Sequence, residues 1–204
     1  MTKIKICGIT SYEDAEKAAE LGADYIGFNF YGKSPRFVKA TKAKMIIEKL
    51  PKKVKKVGVF VNEEIKNISN LAEFCRLDLI QLSGNEDMDY ISNLKKSLGK
   101  KIIKAFRIKN RVNAKKIKSC KADYLMLDSF KKGFFGGTGI KINLKSARQF
   151  DNKNLFLAGG LNSANVKPIV KKINPYAVDV CSSIEACSGK KDFGKMKAFI
   201  EALR

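Results

Sequence analysis

The chain contains no histidine. The commonest general base, the usual zinc ligand and every Ser-His-Asp arrangement are therefore excluded. Acid–base chemistry must fall to carboxylates, thiols, lysine or tyrosine. Two such groups end apolar, strand-like runs: Cys7, followed by Gly8, and Asp128, followed by Ser129. A thiol and a carboxyl on opposite sides of a small substrate can serve as base and acid. Two further segments offer donors to an anion. Gly159 and Gly160 allow close backbone approach, and Ser182 and Ser183 add hydroxyl and N–H donors just before a helical turn. Arg36 is one of six arginines among 41 basic residues. Its planar fork suits a carboxylate or phosphate, as a lysine does not. Each of these residues also has a bland reading: a packed thiol, a helix cap, an ordinary turn, a surface ion pair. The elements that position them decide between the two.

Eight apolar runs cross the sequence, at 4–7, 25–30, 57–61, 77–82, 102–106, 124–128, 155–158 and 177–181. Most are continuously apolar, as parallel strands covered on both faces should be. Helical patterns fill the gaps. Ser11 can cap a helix whose Ala15, Ala18 and Ala19 face inward, with Gly22 at its stop. Segment 64–75 aligns Ile65, Ile68, Leu71 and Ala72, and segment 165–173 aligns Val166, Ile169, Val170 and Ile173. Asp192 can cap a last helix with Phe193, Met196, Phe199, Ile200 and Leu203 on its inner face. The gap at 107–121 carries the weakest helical signal. This alternation, without a composition break, predicts one α/β domain over residues 1–204: a single (β/α)8 TIM barrel of minimal size, since such folds run to ~250 residues with ~200 as the lower edge. An open doubly wound sheet is the rival, but no G-x-G-x-x-G opens a helix and no phosphate-loop motif occurs.

In a barrel the reacting groups sit at the C-terminal ends of strands. The first and sixth runs lie three steps apart around the ring, so Cys7 and Asp128 should face each other across its mouth. The loops after the seventh and eighth strands, with Gly159, Gly160, Ser182 and Ser183, fall where this fold repeatedly binds phosphate. The Gly136-Gly137-Thr138-Gly139 run, after Phe134-Phe135, reads as a mobile, partly apolar lid.

Charge and cysteine content bound the rest. The formal net charge is +21, and hydrophobic residues make up 45% of 204. Lysines are scattered in ones and twos and read as surface filler that also speeds capture of anions. A nucleic-acid reader would gather them into a stripe with stacking aromatics. The five cysteines form no CxxC. They suggest neither a disulfide framework nor a zinc cage, and most should be small buried apolar groups of a reduced protein. The sequence MTKIKICGIT lacks the apolar core of a secretory signal, and no run reaches the ~18 apolar residues of a membrane span, so a cytoplasmic protein is expected.

Several segments together carry a resemblance. They are Lys5-Ile6-Cys7-Gly8-Ile9-Thr10, Gly27-Phe28-Asn29-Phe30-Tyr31 with Ser34-Pro35-Arg36, Asp128-Ser129, Gly136-Gly137-Thr138-Gly139, Ala158-Gly159-Gly160-Leu161 and Val178-Asp179-Val180. In order and over nearly the whole chain, they resemble the phosphoribosylanthranilate isomerase family. The resemblance implies an isomerase of tryptophan biosynthesis that performs an Amadori rearrangement without a cofactor. It implies Cys7 as general base, Asp128 as general acid and Arg36 as anchor for the anthranilate carboxylate. Gly159, Gly160, Ser182 and Ser183 would hold the phosphate, and Asp179 would contact the sugar. The partner would be a small phosphorylated substrate, with no nucleic acid or membrane, in a monomer or homodimer. Another phosphosugar isomerase or epimerase on the same fold is the nearest alternative. A basic nucleic-acid-binding protein leaves Cys7 and Asp128 unexplained.

Three departures mark this chain. Ser83 stands where the family usually has histidine. Ile142-Asn143-Leu144 replaces Phe-Asp-Trp. Cys181-Ser182-Ser183 replaces Ser-Ser-Gly. A glycine that needs positive φ is costly to replace, which makes Ser183 a test of the phosphate loop. At neutral pH the proposed pair requires a Cys7 that ionises readily and an Asp128 that holds a proton, so burial and neighbouring charges are expected to move both toward neutrality.

Overall fold

The computed structural model describes residues 1–108, 114–129 and 147–204. Each apolar run forms a parallel strand: β1 (Lys3–Cys7), β2 (Tyr25–Asn29), β3 (Lys55–Phe60), β4 (Leu79–Leu82), β5 (Lys101–Ile108), β6 (Tyr124–Ser129), β7 (Leu155–Leu157) and β8 (Ala177–Val180). They close into a barrel in chain order, with β8 pairing back onto β1. The described helices are α1 (Tyr12–Glu20), α2 (Ala40–Lys49), α3 (Ile65–Phe74), α4 (Met88–Leu98), α5 (Ala114–Lys118), α6 (Val166–Ile173) and α7 (Phe193–Glu201). A short hairpin of β9 (Glu185–Cys187) and β10 (Lys190–Lys191) follows β8. The expected Gly136–Gly139 lid lies outside the described residues.

Local signals place the helices as expected. Ser11 Oγ accepts from Asp14 N at 3.2 Å, and Asp192 Oδ1 accepts from Lys195 N at 2.9 Å. Gly22 follows α1 with φ +98°. Among the described residues of the weak gap, the helix is the five-residue α5. One inward assignment fails: Phe193, at the first turn of α7, is 43% exposed, while Met196, Phe199 and Ile200 carry the buried face.

Strand side chains alternate between two environments. Ile4, Ile6, Ile26, Phe28, Ile80 and Leu82 pack outward against the helices. The inward set forms an apolar floor from Tyr25, Val57, Leu79, Ile103, Met126, Phe156 and Ala177. Tyr25 and Tyr176 join hydroxyls there at 2.7 Å. Above this floor the inward positions turn polar, and the cleft begins.

At the opposite, N-terminal rim the chain repeats one device. An aspartate just before β2, β4 and β6 accepts a backbone N–H near the start of the strand before it. Asp24 takes Ile4 N at 2.9 Å, Asp78 takes Lys56 N at 2.8 Å and Asp123 takes Ile102 N at 2.8 Å. Each also pairs with lysine: Lys3, Lys55 with Lys56, and Lys95 respectively. These contacts satisfy strand-end donors and fix the stagger of neighbours. Asp78→Ala should therefore cost about 1–3 kcal/mol, the penalty of an orphaned, half-buried donor. Urea unfolding measures that loss. The kcat/KM of the folded variant should not change, because Asp78 lies at the end of the barrel away from the cleft.

Candidate active site

The chain brings its candidate residues to one end of the barrel. Cys7, Gly8, Asn29, Ser34, Arg36, Gln81, Ser83, Arg107, Asp128, Asp179 and Cys181 line a cleft of about 570 Å³, open solvent included. Gly159, Gly160, Ser182 and Ser183 line an adjoining recess that shares Asp128, Asp179 and Cys181 with the cleft. Every residue singled out from the sequence for catalysis or binding thus lies on one continuous surface.

The β1–β8 pairing sets the thiol's surroundings. Lys5 stands opposite Asp179 in register and Ile6 opposite Val180, so Cys7 and Cys181 come next on neighbouring strands. Inside the barrel Lys5 Nζ donates to Asp179 Oδ1 at 2.8 Å, with the lysine side chain 0% exposed. Gly8 then takes the chain out of β1 with φ +74°, and a Cβ there would meet Arg36 Cδ at 2.6 Å and Cys181 Sγ at 2.9 Å. Only glycine fits both the backbone and the space.

Arg36 is held before any ligand arrives. Ser34 Oγ accepts from Arg36 N at 3.2 Å and from Asn29 Nδ2 at 3.1 Å, which shapes the Ser-Pro-Arg turn. The guanidinium donates through Nε and Nη2 to the two oxygens of Glu185 at 2.8 and 2.7 Å. Arg36 therefore does not offer its whole fork, as the sequence reading expected. Its side edge is engaged, and its Nη1–Nη2 end is the part a second carboxylate can use. Lys191 Nζ completes the cluster, donating to Glu185 Oε1 at 3.0 Å and to the Cys181 carbonyl at 3.3 Å.

The loop after β7 turns on its two glycines, with φ +90° at Gly159 and +64° at Gly160. Ser183 needs no left-handed backbone. It lies in a 3-10 turn (Ser182–Ile184), and its hydroxyl donates to the Leu161 carbonyl. The substitution of the usual glycine is thus accommodated, and the loops after β7 and β8 are tied together. Ser83 Oγ accepts from Gln81 Nε2 at 3.1 Å, while Gln81 Oε1 is buried without a partner among the described residues.

Burial dominates the electrostatics. It pushes the Cys7 thiol up from its ordinary value, with Lys5 the largest opposing influence. The expectation that Cys7 ionises readily is therefore corrected: desolvation of the thiolate outweighs its neighbouring cations here. Burial likewise pushes Cys181 up to about 12. Burial would strip Lys5 of its proton, but Asp179 and Cys7 reverse that and hold it charged. Burial also raises Glu185, yet the hydrogen bonds from Arg36 and Lys191 outweigh it and hold that carboxyl below the usual range.

Sequence reasoning missed Lys5, Glu185 and Lys191, and it misplaced part of the lysine and cysteine sets. Lys5, Lys104 and Lys191 are buried rather than surface filler, paired with Asp179, Glu86 and Glu185. Cys187 is exposed and Cys120 and Cys181 are half-buried, so the thiols are not mostly inert core. Among the described residues, no helix is long and apolar enough to cross a membrane.

Fold and site together define a (β/α)8 barrel of the kind that carries enzymes, with a thiol, a carboxyl and a glycine- and serine-lined recess around one cleft. Comparison with known proteins narrows the class. The family model described as N-(5'phosphoribosyl)anthranilate (PRA) isomerase matches residues 4–202, and the chain belongs to that family. An N-(5'-phosphoribosyl)anthranilate isomerase of Thermoanaerobacter sp. (strain X514) is 43% identical over 205 residues, covering 100% of this chain and 98% of that protein. The crystal structure of phosphoribosyl anthranilate isomerase from Thermus thermophilus is similar with a TM-score of 0.90 at 30% identity, covering 99% of this chain and 98% of that one. A phosphoribosyl anthranilate isomerase in complex with reduced 1-(O-carboxyphenylamino)-1-deoxyribulose 5-phosphate is similar at 0.82 and 36% identity, with 99% and 98% covered.

Glu185 is the node of the site, one carboxylate between a buried lysine and a half-buried arginine. Glu185→Gln should lower stability at neutral pH by about 3–5 kcal/mol, as when one partner of a buried pair is removed. Because its folded pKa is depressed, Glu185 contributes fully above the unfolded value of about 4.3 and loses that contribution as pH falls through the folded value. The gap in urea midpoint between wild type and Glu185→Gln should thus be wide at pH 7 and narrow below pH ~4.

Proposed function

We propose that this chain isomerises N-(5'-phosphoribosyl)anthranilate to 1-(2-carboxyphenylamino)-1-deoxyribulose 5-phosphate, with Asp128 as general acid and Cys7 as general base. The observation that carries this reading is the placement of both groups on one cleft that runs directly into the Gly159–Gly160 and Ser182–Ser183 recess. The substrate is anionic at both ends. Its phosphate fits the recess, where two left-handed glycines let backbone donors approach. Its carboxylate fits the Nη1–Nη2 end of Arg36, which Glu185 holds in place.

The chemistry needs two proton transfers. Asp128 gives a proton to the ribose ring oxygen as the C1'–O bond breaks, and the anilino nitrogen lone pair forms the Schiff base. Cys7, as thiolate, removes the proton from C2', and the released electron pair neutralises the iminium to give an enolamine. Tautomerisation of that enol delivers the ketose. Each transfer is direct, from opposite sides of the one cleft, so neither requires a metal or an oxidant. Asp179, paired through Oδ1 with Lys5, keeps its other oxygen for a sugar hydroxyl. The unpartnered Oε1 of Gln81, a buried acceptor on the cleft wall, suits a second hydroxyl.

The test is the loss of anthranilate-type fluorescence when N-(5'-phosphoribosyl)anthranilate is mixed with the purified protein. Cys7→Ala and Asp128→Asn should each lower kcat at least ~10²-fold while circular dichroism stays unchanged, the range expected for a lost acid or base. Near-full turnover in either variant would remove the assigned role. Turnover of ribulose phosphate in place of the anthranilate substrate would shift the reading to another phosphosugar isomerase.

A further inference from the structure

We propose that Lys5 is a positioning residue for the reaction: its ammonium, pinned by Asp179 inside the barrel, is the fixed counter-charge that lets Cys7 exist as a thiolate. The inference rests on the reading of Cys7 as base and adds what makes that base usable.

The geometry is specific. Lys5 and Cys7 are two residues apart on β1, so both side chains point into the barrel. Their neighbour on β2 is Gly27, opposite Cys7 in register. A Cβ at position 27 would lie 2.8 Å from Cys7 Sγ and 3.0 Å from Lys5 Nζ. The thiol and the ammonium therefore border the same vacant space, which any larger residue at 27 would fill. The lysine cannot turn away, because its side chain is 0% exposed and Asp179 Oδ1 holds it at 2.8 Å.

The other charges of the cleft have partners of their own: Arg107, on β5, donates to Asn85 Oδ1 at 3.0 Å. Arg36, from the β2–α2 loop, and Lys191, from β10, both donate to Glu185. Cys181, past β8, is a second thiol and no counter-ion. Asp128 of β6 shares the cleft and Asp179 of β8 faces the pair, and both are acidic groups. Lys5 is thus the cation best placed to offset the desolvation that opposes a buried thiolate. Its charge is permanent in the working range, since Asp179 and Cys7 keep it protonated. Charge at this separation in a buried site acts with little screening.

Asp179 then has a sign opposite to that of Lys5. It holds the lysine, but its own negative charge works against the thiolate. Removing Lys5 and removing Asp179 should therefore move Cys7 in opposite directions, which a purely structural role for either residue does not produce.

The experiment is the rate of iodoacetamide alkylation of Cys7 against pH, read by peptide mass mapping, with exposed Cys187 as reference in the same tube. In Lys5→Met the Cys7 midpoint should rise by one pH unit or more, and in Asp179→Asn it should fall, with Cys187 unmoved in both. The kcat/KM of Lys5→Met at pH 7 should drop at least tenfold and recover toward high pH in step with alkylation. Should Lys5→Met fail to fold, the charge-neutral double variant Lys5→Met/Asp179→Asn is compared with Asp179→Asn, and its midpoint should be the higher. An unmoved Cys7 midpoint in a folded Lys5 variant, or equal shifts from Lys5→Met and Asp179→Asn, overturns the inference. A midpoint that rises while kcat/KM at pH 7 holds supports the counter-charge and overturns the role of Cys7 as base instead.

Discussion

Closing the ring through β1 and β8 brings residues from the two ends of the chain into one buried space, and the site depends on that contact. Lys5 and Asp179 are 174 positions apart and meet at 2.8 Å. Cys7 ends β1, and Cys181 follows directly after β8. The hairpin after β8 then brings Glu185 and Lys191 to Arg36, which leaves the barrel after β2. A slip of one residue in the β1–β8 register would turn Lys5 and Cys7 outward among the helices and leave Asp179 alone inside. The hydrogen-bonded ladder, the buried ion pair and the orientation of the thiol therefore reinforce one another.

The eight strands were legible because parallel strands sheathed by helices read as apolar runs of the right length and spacing. Helix starts were legible where a side chain caps the backbone, as at Ser11 and Asp192. The inward polar layer was much less so. The segment Lys3-Ile4-Lys5-Ile6-Cys7 alternates like a strand with one wet face, and by that pattern Lys5 belongs in solvent. In a closed barrel the second face is a second interior, and Lys5 is fully buried there. Nothing local separates Lys5 or Lys191 from the other lysines of this chain. What distinguishes them is a carboxylate supplied by a distant segment. Arg36 was legible as a residue of the cleft, but the claim of Glu185 on one edge of its fork was not, since that pair spans 149 positions.

The two rims divide the work. At the N-terminal rim, Asp24, Asp78 and Asp123 sit half-exposed, each closing a strand end and drawing in lysine. These contacts set stagger and stability and touch nothing reactive. At the C-terminal rim the ion pairs are more deeply buried, with side-chain exposures of 0% and 10% for Lys5 and Asp179 and 0% and 4% for Lys191 and Glu185. Burying such pairs gains little net stability over an apolar core. Their presence is better explained by what they hold in place, a thiol on one side and an arginine on the other.

Two of the three departures of this chain from its family fit the same scheme, and Ile142-Asn143-Leu144 lies outside the described residues. Ser183 adopts no left-handed backbone and links the two loops of the anion recess through Leu161. Ser83 takes its hydrogen bond from Gln81, so the position usually held by histidine is occupied by a neutral hydroxyl that cannot hold a second positive charge near the thiol. That leaves the charge balance around Cys7 to groups fixed by ion pairs: Lys5 to Asp179, and Arg36 and Lys191 to Glu185. Lys5 and Arg36 keep their charge, because Asp179 and Glu185 beside them hold the proton on. On the proposed reading, the thiol and the Asp128 carboxyl are the groups of the cleft that move protons, as base and acid.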